Sequence, residues 1–397
     1  MKNVSERINR LSESQTIAMA TRSRELQAEG KDIISLSLGE PDFHTPDRIK
    51  DAAKKAIDDN YTAYTPVSGY LELRQAISKK FKRDNNLDYS PNQIVASTGA
   101  KQSIANVVLS IVNPGDEVIL PAPYWVSYVE IIKMAEGIPV FVEATIESDF
   151  KITAEQLSAA MTDKTKMMIY SSPCNPTGSI YGKAELESLA KVIATKKDFY
   201  VIADEIYEHI NFSGKHESLA QFSEIYDQVI TINGVSKGFA MTGWRLGYIG
   251  APEWIAKACD KIQGQFTSAT CSITQRAVIE AMEMDPSETY HMRDAFKERR
   301  DYVISRLQKM DGVLINDPEG AFYAFPNIEQ LFGKKHSKGT INTATDLCLY
   351  LLEVAEVALV TGEAFGSPEC IRISYATSLD VLKEAMDRIE NALNQLN

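Results

Sequence analysis

Short apolar runs recur through the middle of the chain and alternate with longer amphipathic stretches. The runs are rich in β-branched residues and are bounded by Gly, Pro, Asn or Asp; they span residues 94–97, 117–120, 138–142, 167–170, 199–203, 229–232 and 246–249. Continuous apolarity, as opposed to strict alternation, is typical of strands that are covered on both faces. Most of the intervening stretches have the spacing of helices, as at 184–195. The pattern predicts an α/β fold with a mostly parallel seven-stranded sheet.

The rest of the chain predicts a second, smaller α+β domain. A charged helical pattern at 288–310 leads out of the sheet domain. Strand-like segments follow at 320–326 and 370–375. We therefore predict a large domain over 46–287 and a small domain formed by 1–45 and 288–397, with the first 45 residues joining the small domain or covering the site.

Composition and charge narrow the function classes. The net charge of -12 disfavours nucleic acid as a partner. Five cysteines at long spacings, without a CxxC pair, indicate a reduced cytoplasmic chain with neither disulfides nor a metal site. The N-terminus has no apolar signal core. The longest apolar stretch, 347–360, contains two glutamates and is too short to span a bilayer, so it is predicted to form a buried-face helix and not a membrane anchor.

Polar residues of unusual type follow four of the predicted strands. Gly99, Ala100 and Lys101 come after the first, Asn175 after the fourth, Asp204 after the fifth and Lys237 after the sixth. In open α/β sheets, ligands bind at the carboxyl ends of the strands. We therefore expect these residues to meet at one edge of the sheet and to form a ligand site.

Lys237 is the candidate nucleophile. It lies among small residues, directly after Ser236, and Arg245 follows eight positions later. An exposed lysine is protonated and a poor nucleophile, whereas burial or nearby cations lower its pKa and permit imine chemistry. The alternative is an ordinary solvated lysine. The position at a strand end beside a guanidinium favours a Schiff-base lysine next to a phosphate group.

Asp204 and Tyr207 are candidate partners for a ligand with a protonated aromatic ring. A carboxylate at the end of a buried strand is costly unless it is paired, and a pyridinium nitrogen would pair it. The alternative for Asp204 is a helix N-cap, and Tyr207 is either a donor to a phenolic oxygen or a packing residue. Asn175 begins an Asn-Pro-Thr-Gly turn. It is either a ligand for the cofactor and the substrate carboxylate or simply part of the turn. A cis bond at Ser172-Pro173 or at Asn175-Pro176 would fit a tight turn at a site.

Three further features complete a set of binding groups. The turn at Gly99 and Ala100 opens a helix, whose free N–H groups favour phosphate, and Arg245 would add a bidentate clamp. Arg372 lies in an otherwise apolar strand and would bind a substrate carboxylate, unless it forms an internal salt bridge. Trp125 would stack on a planar ring or pack in the core. Pyridoxal phosphate requires a lysine that forms an imine, a partner for its pyridinium nitrogen, donors to its phenolic oxygen and a group that binds its phosphate. The residues above supply all four.

The same residues resemble a known family along nearly the whole chain. The matching motifs are SLGEPDF (37–43), YTPVSG (64–69), NPTG (175–178), DEIY (204–207), SK (236–237), MTGWR (241–245) and RISYA (372–376). The chain resembles the class I aminotransferases of fold type I and is most similar to the bacterial aspartate aminotransferase branch called subgroup Ib. The resemblance implies pyridoxal phosphate as cofactor and ping-pong transfer of an amino group from L-aspartate, or a related L-amino acid, to 2-oxoglutarate.

The resemblance also implies roles that the residues alone do not suggest. Tyr64 would reach the phosphate of the neighbouring subunit's cofactor, which makes a homodimer part of the site. The backbone N–H of Gly39 would contact the substrate carboxylate, and Lys101 would bind an acidic side chain. Residues 14–16 would lie near the distal carboxylate. One departure is Gly234, where many relatives carry a phosphate-binding serine, so phosphate binding is expected to depend more on Ser236, Arg245 and the Gly99 turn.

Other functions stay open or are disfavoured at this stage. Aromatic, prephenate or broad-specificity transamination and, less favoured, β-elimination would use the same cofactor. A transcription regulator with a fused aminotransferase-like domain is disfavoured by the acidic charge and by the early start of the aminotransferase-like sequence. A nucleotide-dependent dehydrogenase is disfavoured because no GxGxxG follows a strand.

Overall fold

A computed structural model describes residues 4–12, 15–337 and 339–397, with the side chains of Gln15 and Thr16 left undescribed. The strands are β1 (Ile34–Ser35), β2 (Ile94–Ser97), β3 (Glu117–Ala122), β4 (Ile138–Glu143), β5 (Thr165–Ser171), β6 (Tyr200–Asp204), β7 (Val229–Gly234), β8 (Gly247–Gly250), β9 (Tyr323–Ala324), β10 (Lys335–His336), β11 (Gly339–Thr340), β12 (Val357–Ala358), β13 (Val360–Thr361) and β14 (Ile371–Ser374). Each of the seven predicted apolar runs therefore forms a strand, β2 to β8.

The helices separate most of these strands along the chain. They are α1 (Glu6–Asn9), α2 (Gln15–Ala28), α3 (Asp47–Asp58), α4 (Leu71–Lys80), α5 (Ala100–Ile111), α6 (Ser127–Met134), α7 (Ala154–Ala160), α8 (Lys183–Ile193), α9 (Glu253–Phe266), α10 (Ser272–Glu283), α11 (Tyr290–Leu307), α12 (Ala344–Tyr350) and α13 (Leu379–Leu393). None of the helices in the described ranges combines the length and the apolar character that a membrane crossing needs.

Strands β2 to β8 form one sheet in the order β2-β8-β7-β6-β5-β3-β4. Strand β8 runs antiparallel to both of its neighbours, and the other pairs are parallel. Successive residues of a strand serve opposite faces: Met168 and Tyr170 pack with one hydrophobic cluster, and Met167 and Ile169 with the other. Both faces are buried, which explains the continuous apolarity of the runs. The predicted α/β fold with a mostly parallel seven-stranded sheet is confirmed.

A second hydrophobic core lies outside this sheet and is built from α11, α13 and short strands. The strands β13, β14 and β9 form an antiparallel sheet, and β1 pairs with β12 in parallel. The carbonyl of Leu36 accepts a 2.9 Å hydrogen bond from the N–H of Ser374. The N-terminal segment is thereby attached to the C-terminal part of the chain. The domain boundaries at 45/46 and 287/288 stay a prediction.

One helix predicted from the apolar pattern is wrong in its second half. The stretch 347–360 continues from α12 into a π-helical turn over Leu351–Ala355, and Glu356 then adopts a left-handed conformation with φ 54°. The residues that follow form β12 and β13 instead. Their pairing with β1 and β14 is a long-range contact that local apolarity cannot reveal.

Candidate active site

A cavity of about 320 Å³ opens at the carboxyl ends of the parallel strands. Its lining includes eleven of the residues predicted from the sequence: Gly39, Ala100, Lys101, Trp125, Asn175, Asp204, Tyr207, Ser236, Lys237, Arg245 and Arg372. They come from seven different segments of the chain. Those that follow the parallel strands meet at one edge of the sheet, whereas Gly39 and Arg372 come from the loop after β1 and from β14. The residues predicted from the sequence to form a ligand site therefore line one cavity.

Lys237 lies at the centre of the chemistry that this cavity offers. Its Nζ atom donates a 2.6 Å hydrogen bond to the carbonyl oxygen of Gly39. Burial lowers the pKa of the Lys237 ammonium to about 8; Arg372 and Arg245 act in the same direction, while Glu40 opposes them. A sizeable neutral fraction is therefore present near neutral pH, and a neutral amine is the form that attacks a carbonyl carbon.

Asp204 ends β6 and lies almost completely inside the protein. Its Oδ2 accepts a 2.7 Å hydrogen bond from the hydroxyl of Tyr128, and its Oδ1 accepts a 3.3 Å bond from the N–H of Ile206. Burial raises the pKa of the Asp204 carboxyl to about 6, against the lowering effect of these two donors. Within the described part of the chain no cation forms an ion pair with Asp204. A buried carboxylate in this state fits a protonated pyridine nitrogen.

The turn between β2 and α5 offers a phosphate cradle beside Arg245. Gly99 has φ 88°, which favours glycine, and a Cβ atom there would lie only 2.3 Å from Nη2 of Arg245. The next residue, Ala100, begins α5, whose first N–H groups have no partner within the helix. The guanidinium is held by a 2.9 Å hydrogen bond from Nη1 to the carbonyl of Thr242. The cradle therefore fits a dianionic phosphate.

The departure at Gly234 has a steric explanation. A Cβ atom at this position would lie 2.9 Å from Cα of Gly247 and 3.0 Å from the carbonyl oxygen of Leu246, both on the neighbouring chain segment of β8. A serine would force β7 and β8 apart. The close approach of these two strands therefore favours glycine at position 234.

Arg372 is buried and is fixed by neutral acceptors. Its Nη1 donates a 3.0 Å hydrogen bond to Oδ1 of Asn175, and its Nη2 donates a 2.6 Å bond to the carbonyl of Ser37. Its Nε has no partner, and none of the described residues forms an ion pair with it. The alternative of an internal salt bridge is therefore not observed. A buried guanidinium with spare donors fits a substrate carboxylate.

Two tyrosines of the site were missed in the sequence analysis. The hydroxyl groups of Tyr207 and Tyr323 are 2.8 Å apart, and the ring of Tyr323 lies 4.6 Å from Cζ of Arg372. A Cβ atom on Gly39 would lie 2.0 Å from the Tyr323 hydroxyl oxygen, so only glycine fits there. The other missed residue is Tyr128, the donor to Asp204. Tyr323 belongs to a strand-like segment that the sequence assigns to the small domain. Nothing in the sequence around Tyr128 indicates a role in the site.

Lys101 and Trp125 form one wall of the cavity. The Nζ atom of Lys101 lies 4.9 Å from the centre of the Trp125 ring, and this cation forms no ion pair with a described residue. Partial burial, with a contribution from Arg245, lowers the pKa of the Lys101 ammonium. The wall therefore presents a cation without an anion, beside an aromatic surface.

The remaining predicted residues lie outside the cavity lining. Gly99 contacts Arg245, as described above, whereas Tyr64 is 100% exposed and lines no part of the cavity. The predicted contribution of residues 14–16 falls on Ser14 and on the side chains of Gln15 and Thr16, which are outside the described residues. The next residue, Ile17, does line the cavity. Two of the prolines show the expected cis bonds, Ser172–Pro173 and Asn175–Pro176, and Ala122–Pro123 is a third.

Comparison with known proteins gives the family. The model of the aminotransferase class I and II family matches residues 31–389. An aspartate/prephenate aminotransferase of Cereibacter sphaeroides is 46% identical and covers 98% of both chains. A bifunctional aspartate aminotransferase and glutamate/aspartate-prephenate aminotransferase of Petunia hybrida is 45% identical over 98% of this chain and 83% of its own length.

Solved structures give the same result for the fold. The aspartate aminotransferase of Rhizobium meliloti superposes with a TM-score of 0.97 at 41% identity and covers 100% of both chains. The Thermus thermophilus aspartate aminotransferase solved with maleate has a TM-score of 0.92 at 37% identity and covers 99% of this chain and 100% of its own. The chain is therefore a member of the class I and II aminotransferases, a pyridoxal-phosphate-dependent transaminase of fold type I.

Proposed function

We propose that the protein is an aspartate aminotransferase that transfers the amino group of L-aspartate to 2-oxoglutarate. The observation that carries this proposal is that the cavity of Lys237 holds two cations besides the Arg245 phosphate clamp, Arg372 and Lys101, and that neither forms an ion pair with a described residue. An amino acid with one carboxylate needs one such cation, whereas a dicarboxylate uses both. The names of the relatives, which include aspartate as substrate, support the same choice.

The cofactor would be held at both ends of the cavity. Lys237 would carry it in imine linkage, and Asp204 would pair with its ring nitrogen. The residues that would contact its phosphate are Gly99, Ala100, Ser236 and Arg245, and those that would contact its ring and phenolic oxygen are Trp125, Asn175 and Tyr207. When bound, pyridoxal phosphate supplies an electron sink for the carbanion that forms at the substrate Cα.

The chain's own groups would then perform positioning and proton transfer. Arg372, Asn175 and the backbone N–H of Gly39 would bind the α-carboxylate and orient the Cα–H bond. The Nζ of Lys237, with its pKa lowered to about 8, would accept the Cα proton as a neutral amine. Ionised Asp204 would keep the ring nitrogen protonated. Amino acid and oxo acid would occupy the same cavity in turn, which gives ping-pong kinetics.

Prephenate is a second candidate acceptor. Several relatives are named aspartate/prephenate aminotransferases. Prephenate carries a second carboxylate on a ring, so Lys101 would serve it as well as it serves aspartate. The exposed side chain of Ile17 and the ring of Trp125, which both line the cavity, would supply apolar surface for that ring.

The proposal also covers the oligomeric state, the domain division and the cellular location of the protein. We propose a homodimer in which the fully exposed Tyr64 reaches the phosphate of the neighbouring subunit's cofactor. We also propose the division into a large domain, 46–287, and a small domain formed by 1–45 and 288–397. A cytoplasmic location is supported by five cysteines that are all free thiols.

The experiment is a donor and acceptor screen on the purified, cofactor-loaded protein. Aspartate, phenylalanine and alanine would each be assayed with 2-oxoglutarate, and prephenate would be assayed as an acceptor. We expect the highest kcat/KM for aspartate, no turnover by Lys237→Ala, and full turnover by the control Lys257→Ala on the exposed face of α9. A higher kcat/KM for alanine or phenylalanine than for aspartate would contradict the proposed substrate.

A further inference from the structure

A buried cluster of polar side chains lies behind the catalytic lysine. We define the Lys80 cluster as Lys80, Asn85, Glu205, Glu208, His209 and Ser218. Lys80 is 1% exposed, which is rare for a lysine, and it forms an ion pair with Glu208. Its Nζ also donates a 2.8 Å hydrogen bond to Oδ1 of Asn85. Such a pair is expensive to bury and is therefore weak evidence for stability alone.

The cluster is continuous from α4 to the end of β6. Asn85 donates a 2.8 Å hydrogen bond from Nδ2 to Oε2 of Glu208, and the same group lies 3.4 Å from Oγ of Ser218. Ser218 donates in turn a 2.7 Å bond to Oε2 of Glu205. Glu205 follows Asp204 directly, and its N–H bonds the carbonyl of Ile232 on β7 at 2.9 Å. One end of the cluster is thus adjacent to Asp204.

The other end of the cluster is adjacent to Lys237. The Nε2 atom of His209 lies 3.3 Å from Oε1 of Glu208, and only 11% of the His209 side chain is exposed. A Cβ atom on Gly238 would lie 2.7 Å from Cδ2 and 2.9 Å from Cβ of His209. The His209 ring also packs edge-on against Phe239, with centroids 5.4 Å apart. The imidazole therefore supports the two residues that directly follow Lys237.

The cation of this cluster is Lys80 and not a metal ion. Glu205, Glu208 and His216 offer ligand atoms within 4.8 Å of one another. Both oxygens of Glu208 already bond Lys80 and Asn85, however, and Nε2 of His216 lies 3.0 Å from Oε2 of Glu205. A divalent ion would have to displace the ammonium group. The arrangement serves to fix side chains rather than to bind an ion.

We infer that the Lys80 cluster positions Lys237 through the contact between His209 and Gly238, with Glu208 holding His209 in place. Glu208 and His209 are positioning residues, because neither lines the cavity. The inference depends on the proposed role of Lys237. The absorption spectrum of the cofactor-loaded protein reports on the role of Lys237 without any amino-acid substrate. The positioning role of the Lys80 cluster and the proposed substrate can therefore be tested separately.

The first test enlarges and then relieves the contact. Gly238→Ala places a methyl group against the imidazole, and we expect a decrease in kcat of about 10- to 100-fold with KM for aspartate little changed. The pH midpoint of the spectral change of the cofactor-loaded protein should move as well. Adding His209→Ala to Gly238→Ala removes the clash but also removes the imidazole that supports Gly238 and Phe239, so neither quantity should return to its wild-type value. The inference is overturned if Gly238→Ala has no effect, or if the double variant recovers the wild-type kcat and spectral midpoint.

The second test separates positioning from stability. Glu208→Gln removes the nearest anion of the Lys80 ammonium and leaves it only the more distant Oδ2 of Asp84, 3.8 Å away, so thermal stability and kcat should both decrease. Replacing both charges, Lys80→Met with Glu208→Leu, should restore the melting temperature but not kcat, because His209 still lacks its partner. Recovery of both quantities together would show that the pair only stabilises the fold and would overturn the inference. A wild-type protein that fails to bind pyridoxal phosphate at Lys237 would instead contradict the proposed function.

Discussion

The hydroxyl of Tyr128 donates a 2.7 Å hydrogen bond to Oδ2 of Asp204. This bond joins α6 to the end of β6 and stabilises the ionised form of a carboxyl group whose burial would otherwise favour the neutral form. The negative charge that a protonated ring nitrogen needs is therefore maintained by a residue that contacts neither substrate carboxylate in our proposal.

Replacing this tyrosine should change the pH dependence of cofactor binding. In the cofactor-free protein the pKa of Asp204 is raised to about 6, so the carboxylate that would pair with the ring nitrogen is present above pH 6 and is lost as the pH decreases through that value. The affinity for pyridoxal phosphate should therefore fall below about pH 6. Tyr128→Phe removes a donor to the charged form and should move that fall upward by about one pKa unit. The measurement is the dissociation constant of pyridoxal phosphate against pH; an unchanged profile would show that Asp204 does not control it. Tyr290 is exposed and lies outside the cavity lining, so Tyr290→Phe offers a control.

Cofactor capture should depend on pH in the range set by Lys237. Its pKa is lowered to about 8, and the neutral amine that attacks the cofactor aldehyde becomes the majority form above that value. The rate at which cofactor-free protein takes up pyridoxal phosphate should therefore increase up to about pH 8 and then level off. Stopped-flow absorbance measures this rate. A rate that still increases above pH 10 would indicate an ordinary exposed lysine.

Lys101 should discriminate acidic from neutral substrates. Lys101→Met keeps the length of the side chain and removes its charge, so kcat/KM for aspartate should decrease by about 10- to 100-fold, as expected for one lost charge-assisted contact. The value for alanine should change little because alanine has no distal carboxylate. Parallel kinetics with both donors provide the test, and Lys257→Met is the surface control. Equal losses for the two donors would remove Lys101 from substrate selection.

Subunit mixing tests the role of Tyr64. Tyr64→Ala and Lys237→Ala should each be inactive or severely impaired as homodimers. In a dimer that contains one subunit of each kind, one site pairs an intact Lys237 with an intact Tyr64 of the partner. Equimolar mixing and subunit exchange should therefore restore activity to about a quarter of the wild-type level. Mixtures that stay as inactive as the separate variants would contradict a shared site.

The sequence predicts which residues at the strand ends lie together in the site, and it does so for a physical reason. Strands buried on both faces carry continuous apolar runs, and in parallel sheets their carboxyl ends share one edge. The positions of Asn175, Asp204 and Lys237 after such runs were therefore sufficient to place them together. The steric pressure of β8 on Gly234 was invisible in the sequence, because it depends on the approach of two backbones.

Contacts between distant segments could not be predicted in the same way. Lys80 and Glu208 are 128 positions apart, and Tyr128 and Asp204 are 76 apart. Neither pair is indicated by the local sequence, because a lysine on a charged helix and a tyrosine on an amphipathic helix are common and do not reveal a distant partner. The helix predicted over residues 347–360 failed beyond Ala355 for a related reason: β12 owes its conformation to its partner β1.

Chemical trapping tests most directly whether Lys237 carries the cofactor. Borohydride reduces an imine to a stable secondary amine, so reduction of the cofactor-loaded protein followed by peptide mass mapping identifies the modified lysine. We predict a single phosphopyridoxyl group on Lys237. A group found mainly on Lys101, the other lysine of the cavity, or no modified peptide at all, would contradict the account.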